Sequence, residues 1–179
     1  MKSKSQSVVM CALFTVLVAV GAFIRIPLPL PLTMQLFFVI LSGLLLGSKR
    51  GAVSCALYMI IGLIGVPVFT QGGGISYVFQ PSFGYIIGFV FASFFTGRIT
   101  ECKKNPSLKR MLTASFVGLL TAYCVGMVYY YIVCRFVLSI NLGIGLLLVR
   151  CVLLTAPCDI ALSFAAVFLS KKLKRFMPF

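Results

Sequence analysis

The run SFGYIIGFVFASFFTGRITECKK, residues 82–104, decides the fold. From Ser82 to Gly97 it carries no charge, and it then breaks into Arg98, Glu101, Lys103 and Lys104. A helix crossing the ~30 Å hydrocarbon core of a bilayer needs about 20 predominantly apolar residues. The stretch over 82–99 therefore reads as a membrane span, and the basic cluster behind it as the cytoplasmic end of that span.

The rest of the chain repeats the pattern. Apolar stretches at about 6–24, 34–47, 51–64, 110–138 and 143–170 join the one at 82–99, so six helices are expected, the second and third short for full spans. The 179 residues are 61% hydrophobic and 10% charged, with a mean hydropathy of +1.13, which excludes a water-soluble domain. The length fits one all-α integral membrane bundle over residues 1–179. Lys2 and Lys4 precede an apolar run that reaches Ile24 without a small-residue cleavage site, so this run is expected to be an uncleaved first helix.

The net charge of +14 follows topology rather than nucleic-acid binding, because the basic residues fall in short clusters between apolar runs. Placing both termini in the cytoplasm puts 13 of the 16 basic residues inside, leaving Arg25, Arg135 and Arg150 elsewhere. The outer side then receives the proline-rich IPLPLPLT, the glycine-rich VPVFTQGGGISYVFQPS and the turn around Ser139–Asn141. Pro27, Pro29 and Pro31 favour a stiff extended segment. Gly72, Gly73 and Gly74 either bring backbone close to a ligand or form a plain surface turn.

Small residues recur at every fourth position: Ser7, Cys11, Thr15 and Ala19; Gly84, Gly88, Ala92 and Thr96; Ala114, Gly118, Ala122 and Gly126. Each series marks a close-packing face, internal by default, with one available to dock a partner subunit. The seven cysteines are scattered, and with no histidine in the chain no metal site is expected. They read as small buried thiols.

Two acidic residues exist. Glu101, in the basic inner loop, is expected to be solvated. Asp159 lies in an apolar stretch, where a charge is expensive and marks function. Pro157 places it in the first turn of a helix, so complementing the helix dipole is its structural alternative. Counting back from Lys171 at ~1.5 Å per residue puts Asp159 in the outer half of the bilayer. The segment 143–156 is then either an outer extension of the last helix or a separate short helix.

Arg135 and Arg150 are candidates to pair with Asp159 or with a ligand's anion, or else they snorkel to the interface. Thr33, Gln35, Gln71, Gln80 and Tyr85, with Gly73 and Gly74, complete the candidate ligand site, Tyr77 standing near them. Apolar walls, a few polar groups and one carboxylate suit a small amphipathic ligand.

The ordered set IPLPLPLTMQ, LSGLLLGSKRGAVSCALYMIIGLIGVPVF, PSFGYIIGF and APCDIAL resembles the BioY family over most of the chain. The resemblance implies the biotin-binding S component of an energy-coupling factor (ECF) transporter, a plasma-membrane subunit of bacteria. It further implies two kinds of partner, a transmembrane coupling subunit and two ATPase subunits that use ATP, with no nucleotide loop in this chain. The family's late motif is proline, any residue, aspartate, two residues, lysine; here Pro157 and Asp159 match and Leu162 replaces the lysine. Ser82–Phe83 replaces threonine and glycine, so Phe83 is expected to reshape the pocket. Alanines four apart in the first helix dock the family's coupling subunit; here Ala12 is followed by Val16, and Cys11, Thr15 and Ala19 substitute. The competing readings are an S component for another small vitamin, an intramembrane enzyme, which lacks a histidine and a second carboxylate, and a purely structural protein.

Overall fold

Six long helices form where the apolar runs predict them. The structure, a computed structural model, describes residues 4–26, 32–103, 105–140 and 143–176. Helices α1 (Lys4–Phe23), α2 (Gln35–Leu46), α3 (Ser48–Leu63), α4 (Phe83–Glu101), α5 (Leu108–Phe136) and α7 (Ala156–Phe176) carry the bundle, and α6 (Ile144–Leu148) is a single short helix. Four segments are long and apolar enough to span a bilayer: Ser5–Phe23, Phe83–Glu101, Leu108–Phe136 and Gly145–Lys174. Many of their apolar side chains face outwards, among them Leu120, Val128 and Phe168, as lipid permits and water does not.

The second helix is short because it is the centre of the molecule. Ten of the twelve residues of α2 are buried, and it contacts α1, α3, α4 and α7. Gly47, at φ 85°, turns α2 into α3 within one residue. That corner sits on α4: a Cβ on Gly97 would lie 2.3 Å from the Ser48 nitrogen. Around it Ser42 and Ser93 share a hydrogen bond of 2.8 Å, and the Thr96 hydroxyl donates to the Ala114 carbonyl at 3.2 Å. Glu101 is exposed but not merely solvated, since the Ser48 hydroxyl donates to its Oε2 at 2.6 Å. Its carboxylate thus stands beside the N-terminus of α3, where the helix dipole favours an anion.

Two of the small-residue series mesh α4 with α5. A Cβ on Gly84 would meet Tyr129, one on Gly88 the Ala122 backbone, and one on Gly126 the ring of Tyr85. The α1 series turns inwards: Cys11 and Thr15 are buried, and the Thr15 hydroxyl donates to the Ser54 carbonyl of α3 at 3.0 Å. Ala19 is half-buried against the core. The expected docking role of Cys11, Thr15 and Ala19 is therefore replaced by internal packing, and of that set only Ala12 is exposed.

The segment before α7 is a separate piece. Helix α6 runs into a π-helical turn, Val149–Leu153, and α7 starts afresh at Ala156 with Pro157 in its first turn. Leu147 and Cys151 bury themselves against Tyr130 and Cys134 of α5. The break separates Thr155 from α7 and leaves Asp159 one turn inside it.

At one end of the bundle, Cys11 reaches the Arg50 carbonyl and Arg110 donates to the Ile99 carbonyl at 2.7 Å, so α1, α3, α4 and α5 present basic residues together. At the opposite end β1 (Arg25–Ile26) pairs antiparallel with β2 (Leu32–Thr33), Arg25 opposite Thr33. Pro27, Pro29 and Pro31 between them lie outside the described residues.

Candidate ligand-binding site

Near the β1–β2 end, α2, α4, α5 and α7 diverge around a cavity with apolar walls and a few convergent polar groups, the character of small-molecule sites. Leu36, Ile86, Phe89 and Ala122 make its apolar wall. Thr33, Gln35, Thr70, Tyr77, Ser82, Tyr85, Tyr123, Thr155 and Asp159 supply its polar groups.

Asp159 is 8% exposed. The Tyr123 hydroxyl donates to its Oδ2 at 2.5 Å and stands 2.7 Å from the Thr155 hydroxyl. Tyr123 has one proton and donates it to Asp159, so the Thr155 hydroxyl divides its single proton between Tyr123 and the Cys151 carbonyl 3.1 Å away. The relay fixes the carboxylate and leaves Oδ1 for a ligand donor. No lysine or arginine forms an ion pair with Asp159 among the described residues, and a carboxylate oxygen accepts N–H donors. Opposite, the Tyr85 hydroxyl is buried beside the Cys151 thiol with no oxygen or nitrogen partner among the described residues, while the ring stands edge-on to Tyr123 at 6.0 Å between centroids. Such a buried hydroxyl in a cavity wall is a place for a ligand's polar atom.

A second cluster holds the roof. Thr33 donates to Gln35 Oε1 at 3.2 Å, and Gln35 Nε2 donates to the Tyr58 hydroxyl at 2.7 Å. The Tyr58 hydroxyl donates in turn to the Val68 carbonyl at 3.2 Å, tying the cavity floor on α2 to the outer connection. Tyr77, buried, lies 2.8 Å from the Thr70 hydroxyl. Phe69 plugs this connection onto α3, so tightly that a Cβ on Gly62 would lie 2.1 Å from its ring. Gly62→Ala is therefore expected to expel Phe69 and lower stability by about 1–3 kcal/mol, the usual overpacking penalty; a detergent melting curve checks it.

Of the residues expected at the site, Thr33, Gln35, Tyr85 and Asp159 come together. Gln71 and Gln80 are exposed and do not line the cavity. Gly73 and Gly74 are structural: Gly74 donates its N–H to the Gly62 carbonyl at 2.7 Å, and Gly73 packs against the Val66 carbonyl. Arg135 is exposed and donates to Tyr131 of its own helix at 2.8 Å, away from Asp159, which is the snorkelling alternative. The Arg150 side chain lies outside the described residues. Phe83 is buried behind the wall, edge-on to Tyr77, and does not enter the cavity. Tyr123, Thr155, Thr70 and Ser82 complete the site without having been singled out. The relay residues had one available signal, hydroxyls facing an intramembrane carboxylate across two helices.

The model of the BioY family matches residues 1–179. The chain belongs to the BioY family. Among its relatives it is 48% identical over 132 residues to a probable biotin transporter BioY of Lysinibacillus sphaericus, covering 73% of this chain and 67% of that one. It is 38% identical over 123 residues to the biotin transporter BioY of Thermotoga maritima, covering 68% and 72%. In fold, BioY membership agrees with a solved structure, the S-component for biotin from an ECF-type ABC transporter, matched at a TM-score of 0.83 over 98% of this chain and 95% of that one, at 24% identity. Asp159, two residues after Pro157, faces the cavity. Leu162, three residues further on, faces a neighbouring cleft instead.

Proposed function

We propose that this multi-pass membrane protein captures biotin at the cavity above Asp159 and carries it inward as the substrate-binding subunit of an ECF transporter. The observation that carries the reading is a carboxylate held by Tyr123 with one oxygen free, set in an otherwise apolar cavity. Biotin is a fused ring with a cyclic urea at one end and a pentanoic acid chain at the other. A urea N–H suits Oδ1 of Asp159, the rings suit Ile86, Phe89 and Leu36, and the urea oxygen or the second N–H suits the buried Tyr85 hydroxyl.

The basic end of the bundle faces the cytoplasm under the positive-inside rule, so the cavity opens outward. The energy for turning the loaded site inward comes from two ATPase subunits through a transmembrane coupling subunit. The exposed stripe of α1, with Val9, Ala12, Val16 and Val20, is offered to that subunit in place of the inward small-residue face. Loss of the Tyr123 hydroxyl frees the carboxylate to turn: Tyr123→Phe is expected to weaken biotin binding by about 1 kcal/mol, a net hydrogen bond's worth, read by equilibrium titration.

Leu162 supports a second reading, an S component for another cyclic urea or heterocycle without a carboxylate tail. Uptake of radiolabelled biotin by cells that neither make nor import it separates the readings. Import is expected only when this chain is produced with coupling and ATPase subunits; no import with all four present would sink the proposal.

A further inference from the structure

Beside the main cavity a second, more open cleft of about 500 Å³ runs between the end of α1 and α7. Leu32 and Thr33 of β2 line both spaces, so a single two-residue strand is their common wall. On α7, Asp159 looks into the cavity while Cys158, Ala161, Leu162 and Ala165 look into the cleft. Beside Thr33 the described lining is apolar, with Ile24, Ile26 and Met34, and among the described residues Arg25 is the cation that lines it.

Arg25 lines the cleft beside that shared strand. It pairs with Thr33 in the β1–β2 ladder, and its Nη1 donates to the carbonyl of Thr70, a cavity residue. A guanidinium has five N–H donors, and this bond uses one of them. An apolar cleft edged by a fixed guanidinium, and parted from the polar cavity by Leu32 and Thr33, has the chemistry of an alkanoate binder, because guanidinium matches a carboxylate with two parallel bonds.

Resting on the assignment of biotin to the main cavity, we infer that Arg25 holds the ligand's carboxylate in this cleft. The ring end is then read at Asp159 and the acid end at Arg25, with the pentanoate chain passing Thr33. Arg135 and Arg150 are not needed for the acid. Leucine at 162 is compatible with the acid because the charge comes from across the cleft, and it lines the chain's path with apolar surface.

The test compares biotin with neutral biotinamide on purified full-length protein. Arg25→Gln is expected to weaken biotin by about tenfold or more, the size of a lost charge-assisted hydrogen bond, and biotinamide by less than threefold. Arg25→Lys, which keeps the charge, is expected to retain the preference for the acid. Adding Leu162→Lys to Arg25→Gln is expected to restore that preference, since the lysine then enters the same cleft. Biotinamide binding reports that each variant is folded. Equal losses for acid and amide would make Arg25 a structural latch on Thr70 and overturn the inference, as would no loss for either. Failure of Leu162→Lys to rescue would overturn the placement in this cleft. No biotin binding by the wild-type protein would instead defeat the assignment of biotin itself.

Discussion

Asp159→Leu is expected to abolish measurable biotin binding while leaving the protein folded, and Asp159→Asn is expected to weaken binding by about 1.5–3 kcal/mol, roughly tenfold to a hundredfold, the range for a hydrogen bond to a charged group. The two variants act for different reasons. Leucine removes every acceptor. Asparagine keeps one oxygen but replaces the other by an amide NH₂, and both carboxylate oxygens have work to do. Oδ2 accepts from Tyr123, which itself already stands in bonding distance of Thr155. If the asparagine oxygen stays on Tyr123, its NH₂ faces the ligand N–H, donor against donor; if it turns, the relay through Tyr123 breaks. Stability moves the other way from affinity. A buried carboxylate with no ion-pair partner among the described residues destabilises the empty protein, so an apolar replacement of similar volume is expected to be neutral or stabilising. Calorimetric affinities together with detergent melting curves check both halves. Unchanged affinity in either folded variant would contradict the role assigned to Asp159.

Gly97→Leu unfolds or severely destabilises the bundle, by about 3 kcal/mol or more, the upper end of overpacking. The reason is that the added atoms meet backbone rather than the end of a flexible side chain. A Cβ there falls 2.3 Å from the Ser48 nitrogen and 2.4 Å from the Gly47 carbonyl carbon. Helix α4 would have to leave the α2–α3 corner, breaking the Ser48 to Glu101 bond and loosening the adjoining Ser42–Ser93 pair. Gly143→Ala is the matched control, since nothing lies within 4 Å of a Cβ there and its backbone is ordinary extended chain. A lowered melting temperature for the first and an unchanged one for the second are the expected results. Equal behaviour of the two would show that close packing at Gly97 does not hold the bundle.

The helices were legible because each apolar run is as long as its environment requires. The runs at 34–47 and 51–64 look too short to span, and the structure gives the reason: α2 is enclosed by other helices rather than by lipid. The break before α7 was legible from Pro157, but the direction taken by 143–156 was not, since it depends on Leu147 and Cys151 finding a niche against α5. Small residues at every fourth position marked close-packing faces on α4 and α5, and the structure packs those two faces together. They misled in α1, because spacing marks a close-packing face without saying which neighbour packs on it.

The site divides in the same way. Asp159 stands out in any apolar run, and Thr33, Gln35 and Tyr85 follow from their places at helix ends. Gln71, Gln80, Gly73 and Gly74 were chosen for the polar and glycine-rich character of their loop. Which side of that loop faces the cavity is settled by bonds such as Gly74 to Gly62 and by Phe69 filling the space left by Gly62. Tyr123 was illegible because a tyrosine in an apolar helix looks like any other wall residue until α5 and α7 are brought side by side. Arg135 and Arg150 drew attention as outer cations, while Arg25, next to the proline loop, reaches the cleft through the β1–β2 ladder that no local pattern announces.

The most direct test of the central claim is calorimetric titration of the detergent-purified wild-type protein with biotin, with thiamine and riboflavin run alongside. The account predicts tight, one-to-one binding of biotin and no heat of binding from the other two. Absence of biotin binding by protein that melts cooperatively, or equal binding of all three, would contradict it.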